Sequence, residues 1–168
     1  MTMQPALSLD GFVAKPDGDC YSWVNEADEA RYEDAVAKAG CVIVGRKTYE
    51  QYIADFPSKS GAVTFVCTSN ATDKDTEKIK FVHGTAHEIA QKIADHGFAE
   101  AIISGGGEIN GLFADAGLVD EIVVSIHSTV LGSGIPLFGT YHPTLELELL
   151  SSNQDIAGIT QNHYRVVR

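Results

Sequence analysis

Short apolar runs alternate with amphipathic stretches along most of the chain. Cys41–Val44 is continuously apolar, rich in β-branched residues and bounded by Gly40 and Gly45, which predicts an interior strand covered on both faces. Val63–Cys67 predicts a second such strand, Ile79–Val82 a third and Ala101–Ile103 a fourth. Between them, Glu26–Lys38 lacks Gly and Pro and predicts a helix that ends at Ala39-Gly40. The pattern is clearest from Thr85. Thr85 and Glu88 form a capping-box pair, while Ala86, Ile89, Ala90, Ile93 and Ala94 recur at helical spacing up to Gly97. Lys47–Ile53 and Glu108–Ala116 predict shorter helices, and Glu121–Ile126 a further strand. At the start, Ala6–Leu9 is a short apolar-leaning run that stops at Asp10-Gly11, and Lys15-Pro16-Asp17-Gly18-Asp19 has strong turn chemistry.

Near the C-terminus the period changes. Leu145, Leu147 and Leu149 alternate with Glu146 and Glu148, which predicts an antiparallel strand with one wet face, and His163–Val167 predicts its pairing partner. Strands that alternate with helices and then give way to paired strands imply a three-layer α/β fold, its sheet mostly parallel but mixed.

Composition narrows the functional classes. The 168 residues suit one domain, 1–168, and the net charge of −11 argues against a nucleic-acid or anionic-membrane partner, both of which need a basic face. Cys20, Cys41 and Cys67 are odd in number and widely spaced, so they read as thiols in a reducing compartment with no zinc site. His83 and His87 are separated by Gly84 and the Thr85 cap, so they do not share a helix face, and no metal is expected. His127 and His142 have no partner visible in the sequence. No basic-then-apolar leader opens the chain and no apolar run approaches ~20 residues, so a cytoplasmic protein is expected.

In an acidic chain, a cation beside a glycine is informative. Gly45-Arg46-Lys47-Thr48 follows an interior strand and opens a helix, which puts two cations and a hydroxyl where backbone N–H groups are unpaired. Cations are locally unfavourable at that end of a helix, and a bound phosphate would offset this. Gly105-Gly106-Gly107 also lies between a strand and a helix, where glycines let a ligand approach the backbone. Thr68-Ser69-Asn70 follows a third strand and, in a parallel sheet, would share the same carboxyl edge. Tight-turn packing, solvated surface cations and ordinary turn chemistry are the competing readings of these loops. Asn110 stands where a Rossmann fingerprint needs its third glycine, and the Gly-Lys-Ser/Thr of a P-loop is absent.

The order of these segments resembles the dihydrofolate reductase superfamily, and within it the branch similar to the pyrimidine reductase domain of riboflavin biosynthesis. The resemblance rests on Ser8-Leu9-Asp10-Gly11-Phe12-Val13-Ala14, Val42–Glu50, Ile103–Glu108, Leu118–Ile122 and Val130–Phe138, and it spans nearly the whole chain. It implies a three-layer dihydrofolate-reductase-like fold and NADPH lying across the carboxyl edge of the sheet. Arg46, Lys47, Thr48, Thr68 and Ser69 would hold the adenosine-side phosphates, with Gly45 at the turn. Gly105, Gly106 and Gly107 would hold the pyrophosphate together with the helix from Glu108 and Ile109. The loop from Gly11 to Trp23 would cover the nicotinamide, with Val13 and Ala14 touching it through backbone. Relatives of this kind often pair as homodimers, and the strand Leu145–Leu149 offers a surface for that.

The substrate side is open. Dihydrofolate reductases place an acid on the first helix, and a gapless count back from Gly45 puts Glu29 there, beside Asp28. Asp10, at the end of the first strand, and Asp55, in Ala54-Asp55-Phe56-Pro57, are further candidates, and Trp23 would wall the pocket. The resemblance also has a departure. The pyrimidine reductases usually carry basic residues along the first helix near the substrate phosphate, whereas here Arg31 is the only cation before Lys38. No deaminase-like segment precedes the pattern, so the bifunctional riboflavin enzyme is not expected. A small-molecule substrate is expected, with nucleotide binding without catalysis as the rival reading.

Overall fold

The computed structural model describes residues 1–53, 60–70 and 73–168. Its strands are β1 (Thr2–Met3), β2 (Ala6–Ser8), β3 (Phe12–Ala14), β4 (Cys41–Gly45), β5 (Val63–Cys67), β6 (Ile79–Val82), β7 (Ile102–Ile103), β8 (Glu121–His127), β9 (Ile135–Pro136), β10 (Glu146–Asn153) and β11 (Ile159–Val167). The helices are α1 (Glu26–Ala39), α2 (Arg46–Thr48), α3 (Ala86–Asp95) and α4 (Gly107–Asp115).

The main sheet runs β10-β11-β8-β1-β7-β4-β5-β6, with β2 also on β8. From β8 to β6 all neighbours are parallel, while β11 and β10 add antiparallel pairs at the edge. The interior strands are the apolar runs: Cys41, Val42, Ile43 and Val44 are all buried. On one face, Val36 of α1 packs against Val42, Val44, Val66 and Ile102. On the other, Ile89 and Ile93 of α3 and Phe113 of α4 join Met3, Ile43, Phe65 and Ile103.

Local signals account for the helix ends. Asn25 caps α1 by accepting from the Ala27 N–H, and Gly40 ends it at φ 77°. Thr85 and Glu88 form the capping box at the start of α3. Three departures from the sequence reading matter. The helix expected over Lys47–Ile53 is the short α2 followed by a π-helical turn, Tyr49–Ile53. The two-residue strands β1 and β9, and the short β3, are too brief to leave a periodic signal. The strand β10 is exposed along its length, with Leu147 and Leu149 at 42% and 55% exposure, and no helix among the described residues covers this edge of the sheet.

One feature of the topology positions the site. β1 pairs with β7 and β8 through only Thr2 and Met3. The chain then leaves β7, and β2 pairs only with β8, up to Ser8 opposite His127. Above β1 the sheet therefore divides between β7 and the β2–β8 pair. Connections leave β1 and β7 in opposite directions, to β4 and to β8, and a crevice at such a point is where open α/β sheets bind ligands. α1 crosses behind the division: Tyr32 donates from its hydroxyl to Ser104 Oγ after β7 (2.7 Å), and Asp28 reaches β8.

Candidate active site

The glycine and cation loops meet at this edge. Gly45 and Cys67 are register partners at the ends of β4 and β5, so Thr68 lies one residue past that pair. The Gly45 N–H donates to Gly105 O at 2.8 Å, and the Gly106 N–H donates to Thr48 Oγ1 at 3.0 Å. Arg46 and Gly106 are therefore neighbours. The Gly105–Gly106 peptide is cis, and Gly105 has φ 92°. A Cβ on Gly106 would meet only Thr48 Oγ1, at 3.5 Å, so the backbone there is open to a ligand. Val13 and Ala14 join the same edge through β3, which pairs with β9, and Pro136 of β9 abuts Gly107.

Several of these residues are already engaged. A Cβ on Gly107 would lie 2.5 Å from Pro136 O and 2.8 Å from Gly139 N, so this glycine is required by contact with the 136–139 segment. The Glu108 carboxylate accepts from the Thr140 N–H (2.9 Å) and hydroxyl (2.8 Å). Ile109 packs 3.0 Å from the Cβ position of Gly45. Arg46 is bracketed by Glu50 (2.6 Å) and Asp73, with its guanidinium 5.6 Å over the Phe81 ring. Lys47 is exposed and makes no ion pair among the described residues. Asn70 donates its N–H to Thr68 Oγ1, which shapes the loop that carries Ser69.

On the other side of the division, polar groups are buried. Asp28 is 6% exposed, His127 and Ser125 3%, and Ser8 1%. The Ser125 hydroxyl donates to Asp28 Oδ1 (2.7 Å), and His127 Nε2 lies 3.1 Å from Asp28 Oδ2. Gln161 of β11 donates to Ser125 Oγ (3.1 Å), and Trp23 stacks edge-on against the imidazole, centroids 5.4 Å apart. Burial pushes the Asp28 carboxyl up, but the hydrogen bonds from His127 and Ser125 outweigh it and hold the group below the usual carboxylate range. Arg31 reaches to 4.0 Å from Asp28 and pairs with Asp155 at 2.9 Å.

The substrate-side candidates are thereby separated. Asp28, not Glu29, is the acid of α1 that is buried against β8; Glu29 is half-buried. Asp10 is exposed, and a hydrogen bond from Ser8, followed by those from the Leu131 and Gly132 N–H groups (3.1 and 2.7 Å), lowers its pKa. Its geometry is that of a clasp between two loops. Asp55 lies outside the described residues. Trp23 is half-buried over His127. The sequence reading missed the Asp28–His127 pair because its members are 99 positions apart; the usable signal was that Ser125 and His127 alternate on one strand face. Cavities of about 450 and 220 Å³ lie elsewhere, at Pro136–Pro143 and under Leu145, Leu147 and Tyr164.

Fold and edge together define an α/β protein of the dihydrofolate-reductase-like class, with a mainly parallel sheet and antiparallel C-terminal strands. More narrowly, the chain belongs to the RibD C-terminal domain family, whose model matches residues 1–161. It is 30% identical over 165 residues to the uncharacterized protein YwjB of Bacillus subtilis (strain 168), covering 95% of this chain and 93% of that one. Uncharacterized protein YyaP of the same organism is 24% identical over 172 residues, covering 95% and 90%. Among solved structures, a "Putative riboflavin biosynthesis protein" of Shewanella sp. PV-4 superposes with TM-score 0.82 at 25% identity, covering 99% of this chain and 98% of that one. The Thermotoga maritima diaminohydroxyphosphoribosylaminopyrimidine deaminase/5-amino-6-(5-phosphoribosylamino)uracil reductase shares the fold, with TM-score 0.79 at 13% identity. That match covers 99% of this chain and 56% of the larger protein. No helix among the described residues is long and apolar enough to cross a membrane.

Proposed function

We propose that this chain is an NADPH-dependent reductase of a small heterocyclic substrate, most like the 5-amino-6-(5-phosphoribosylamino)uracil reductases, acting in the cytoplasm. The observation that carries the reading is the direct junction of the Gly45–Thr48 and Gly105–Gly107 loops at the carboxyl edge. The residues present fit a dinucleotide. The open backbone of Gly106 and the first turn of the nine-residue α4 would face the pyrophosphate. Lys47, Thr68 and Ser69 would take the adenosine side, and Arg46 could read a 2′-phosphate by exchanging one of its carboxylate partners. When bound, the dinucleotide supplies a hydride. The protein's part is to orient, exclude water and hold charge. The exposed leucines of β10 would meet a second copy of the chain in a homodimer.

A second reading, reduction of an unphosphorylated heterocycle such as a pterin, is favoured by one observation. Arg31, the only cation of α1 before Lys38, is occupied by Asp155 and lies beside Asp28, so α1 offers no free cation to a substrate phosphate before Lys38.

Titration of the protein with NADPH and NADH, followed by cofactor fluorescence, tests the assignment. Arg46→Ala is expected to weaken NADPH at least about tenfold more than NADH, since one charge-assisted bond is worth about 1.5–3 kcal/mol. No binding at millimolar cofactor would overturn the reading. Equal losses for both cofactors would remove Arg46 as the reader of the phosphate. Oxidation of NADPH against a panel of pterins, pyrimidines and quinones then separates the two substrate readings.

A further inference from the structure

We propose that His127 is the residue that gives a proton to the substrate, and that Asp28 is the residue that positions it. The inference rests on the reductase reading above and deepens it. Hydride addition to a C=N or C=O carbon leaves an electron pair on the heteroatom, so some group at the site must supply a proton.

The geometry selects the group by elimination within the cluster at the end of β8. Asp28 is spent on Ser125 and His127, and Ser125 both donates to Asp28 and accepts from Gln161. Ser8 Oγ accepts from the Phe12 N–H, and the Trp23 indole donates to Asp19 O (3.3 Å). Asp10 is spent on two backbone N–H groups. Within this cluster Arg31 Nη1 is buried without a hydrogen-bond partner, and His127 bonds through Nε2 alone, with no partner for Nδ1 among the described residues; Asn110 Oδ1 of α4, also buried and unpartnered, is an amide oxygen with no proton to give. A guanidinium does not give up its proton in proteins. That leaves His127 Nδ1.

The state of the ring follows from its partner. An ionised carboxylate only accepts, so the imidazole nitrogen facing Asp28, Nε2, carries hydrogen. Nδ1 is then the atom free to gain and lose a proton, with the ring held by Asp28 and by the edge of Trp23. The place is also right. His127 ends β8, opposite Ser8 of β2 and Ile159 of β11, beside the division of the sheet whose other bank carries Ser104–Gly106. Asp28 and Tyr32, one helical turn apart on α1, touch the two banks. Among the described residues, the charged groups around the ring are Asp28 and, behind it, Arg31 of α1 with Asp155 of the turn before β11, while β2 and β11 contribute the neutral Ser8 and Gln161.

A bound reduced nicotinamide dinucleotide would supply the hydride to the substrate carbon and be oxidised in doing so. The C–heteroatom π pair moves to nitrogen or oxygen, which takes the proton from Nδ1 of the doubly protonated ring. The neutral ring keeps its Nε2–H on Asp28 and regains the Nδ1 proton from water.

The test begins with the protein labelled with 15N-histidine, observed by long-range proton–nitrogen correlation. Neutral His127 is expected to show Nε2 as the protonated nitrogen, and addition of NADP⁺ is expected to shift the Nδ1 resonance while leaving that of His96 in place. Protonation at Nδ1 in the neutral ring, or an Nδ1 resonance indifferent to NADP⁺ under conditions where the cofactor binds, would overturn the proposal without any mutant. Turnover comes second, with whichever panel compound the wild type reduces. His127→Gln should lower kcat by about 100-fold and flatten its fall on the alkaline side, with the Kd of NADPH within twofold of wild type. Asp28→Asn should retain part of the activity but shift the pH profile, which a merely structural role would not do. A kcat within threefold in His127→Gln sinks the assignment. Failure of the wild type to bind NADPH would instead sink the reductase reading itself.

Discussion

Gly111→Ala gives the sharpest check on how α4 is seated. Gly111 lies in the middle of the helix, where alanine is the better residue by about 1 kcal/mol on intrinsic propensity. Propensity alone therefore predicts a more stable protein. The tertiary contacts predict the opposite. A Cβ at this position would lie 2.4 Å from Phe138 O and 2.6 Å from both Cβ and Cδ2 of Tyr141, roughly 1 Å inside ordinary contact. Phe138 O is main chain and cannot rotate away, so the 138–141 segment must move. Overpacking of this kind costs about 1–3 kcal/mol, and backbone displacement puts it at or above the top of that range. After the propensity gain, a net loss of about 2 kcal/mol remains. In a chain of 168 residues this lowers Tm by about 4–8 °C. Calorimetry on wild type and variant measures it directly. Because the neighbouring 136–139 segment braces Gly107, the variant should also bind NADPH less tightly. A Tm equal to or above that of the wild type would refute the reasoning, since it would mean that the segment around Phe138 yields at no cost.

Two further outcomes follow from the ionisable groups. Asp28 has a folded pKa below its unfolded value, so its contribution to stability is fully present above the unfolded pKa and is lost as pH falls through the folded one. Thermal melts between about pH 5 and pH 2 should therefore show a steeper acid limb for wild type than for Asp28→Asn; parallel limbs would show that the carboxylate is not stabilised in the fold. Burial pushes the Cys20 thiol up to about 11 and the Cys41 and Cys67 thiols up to about 12, so all three stay protonated at neutral pH. Ellman's reagent at pH 8 should react slowly with the native protein and titrate three thiols after unfolding; a fast native thiol would contradict the burial.

Elements with a strong local cause were legible in the chain itself. A continuous β-branched run between two glycines has few alternatives to an interior strand, and Cys41–Gly45 is one. Thr85 and Glu88 make a helix start by hydrogen bonds three residues apart, which needs no tertiary partner. The glycine loops were legible for the same reason, and a parallel sheet of alternating strands and helices necessarily brings their ends to one edge.

What lay beyond the sequence was the choice among chemically similar residues. α1 carries five acids in its first nine positions, and periodicity does not say which of them turns inward; contact with Ser125 and His127 on β8 decides for Asp28. Arg46 reads as a phosphate ligand by its neighbours in sequence, but Asp73, 27 residues away, is what it meets in space. Gly107 reads as a ligand cradle, whereas its missing side chain makes room for Pro136 and Gly139. In each case the deciding partner is remote along the chain. Short-range patterning determined which segments became strands and helices; only their assembly determined which polar groups lost water together, as Asp28, Ser125 and His127 did.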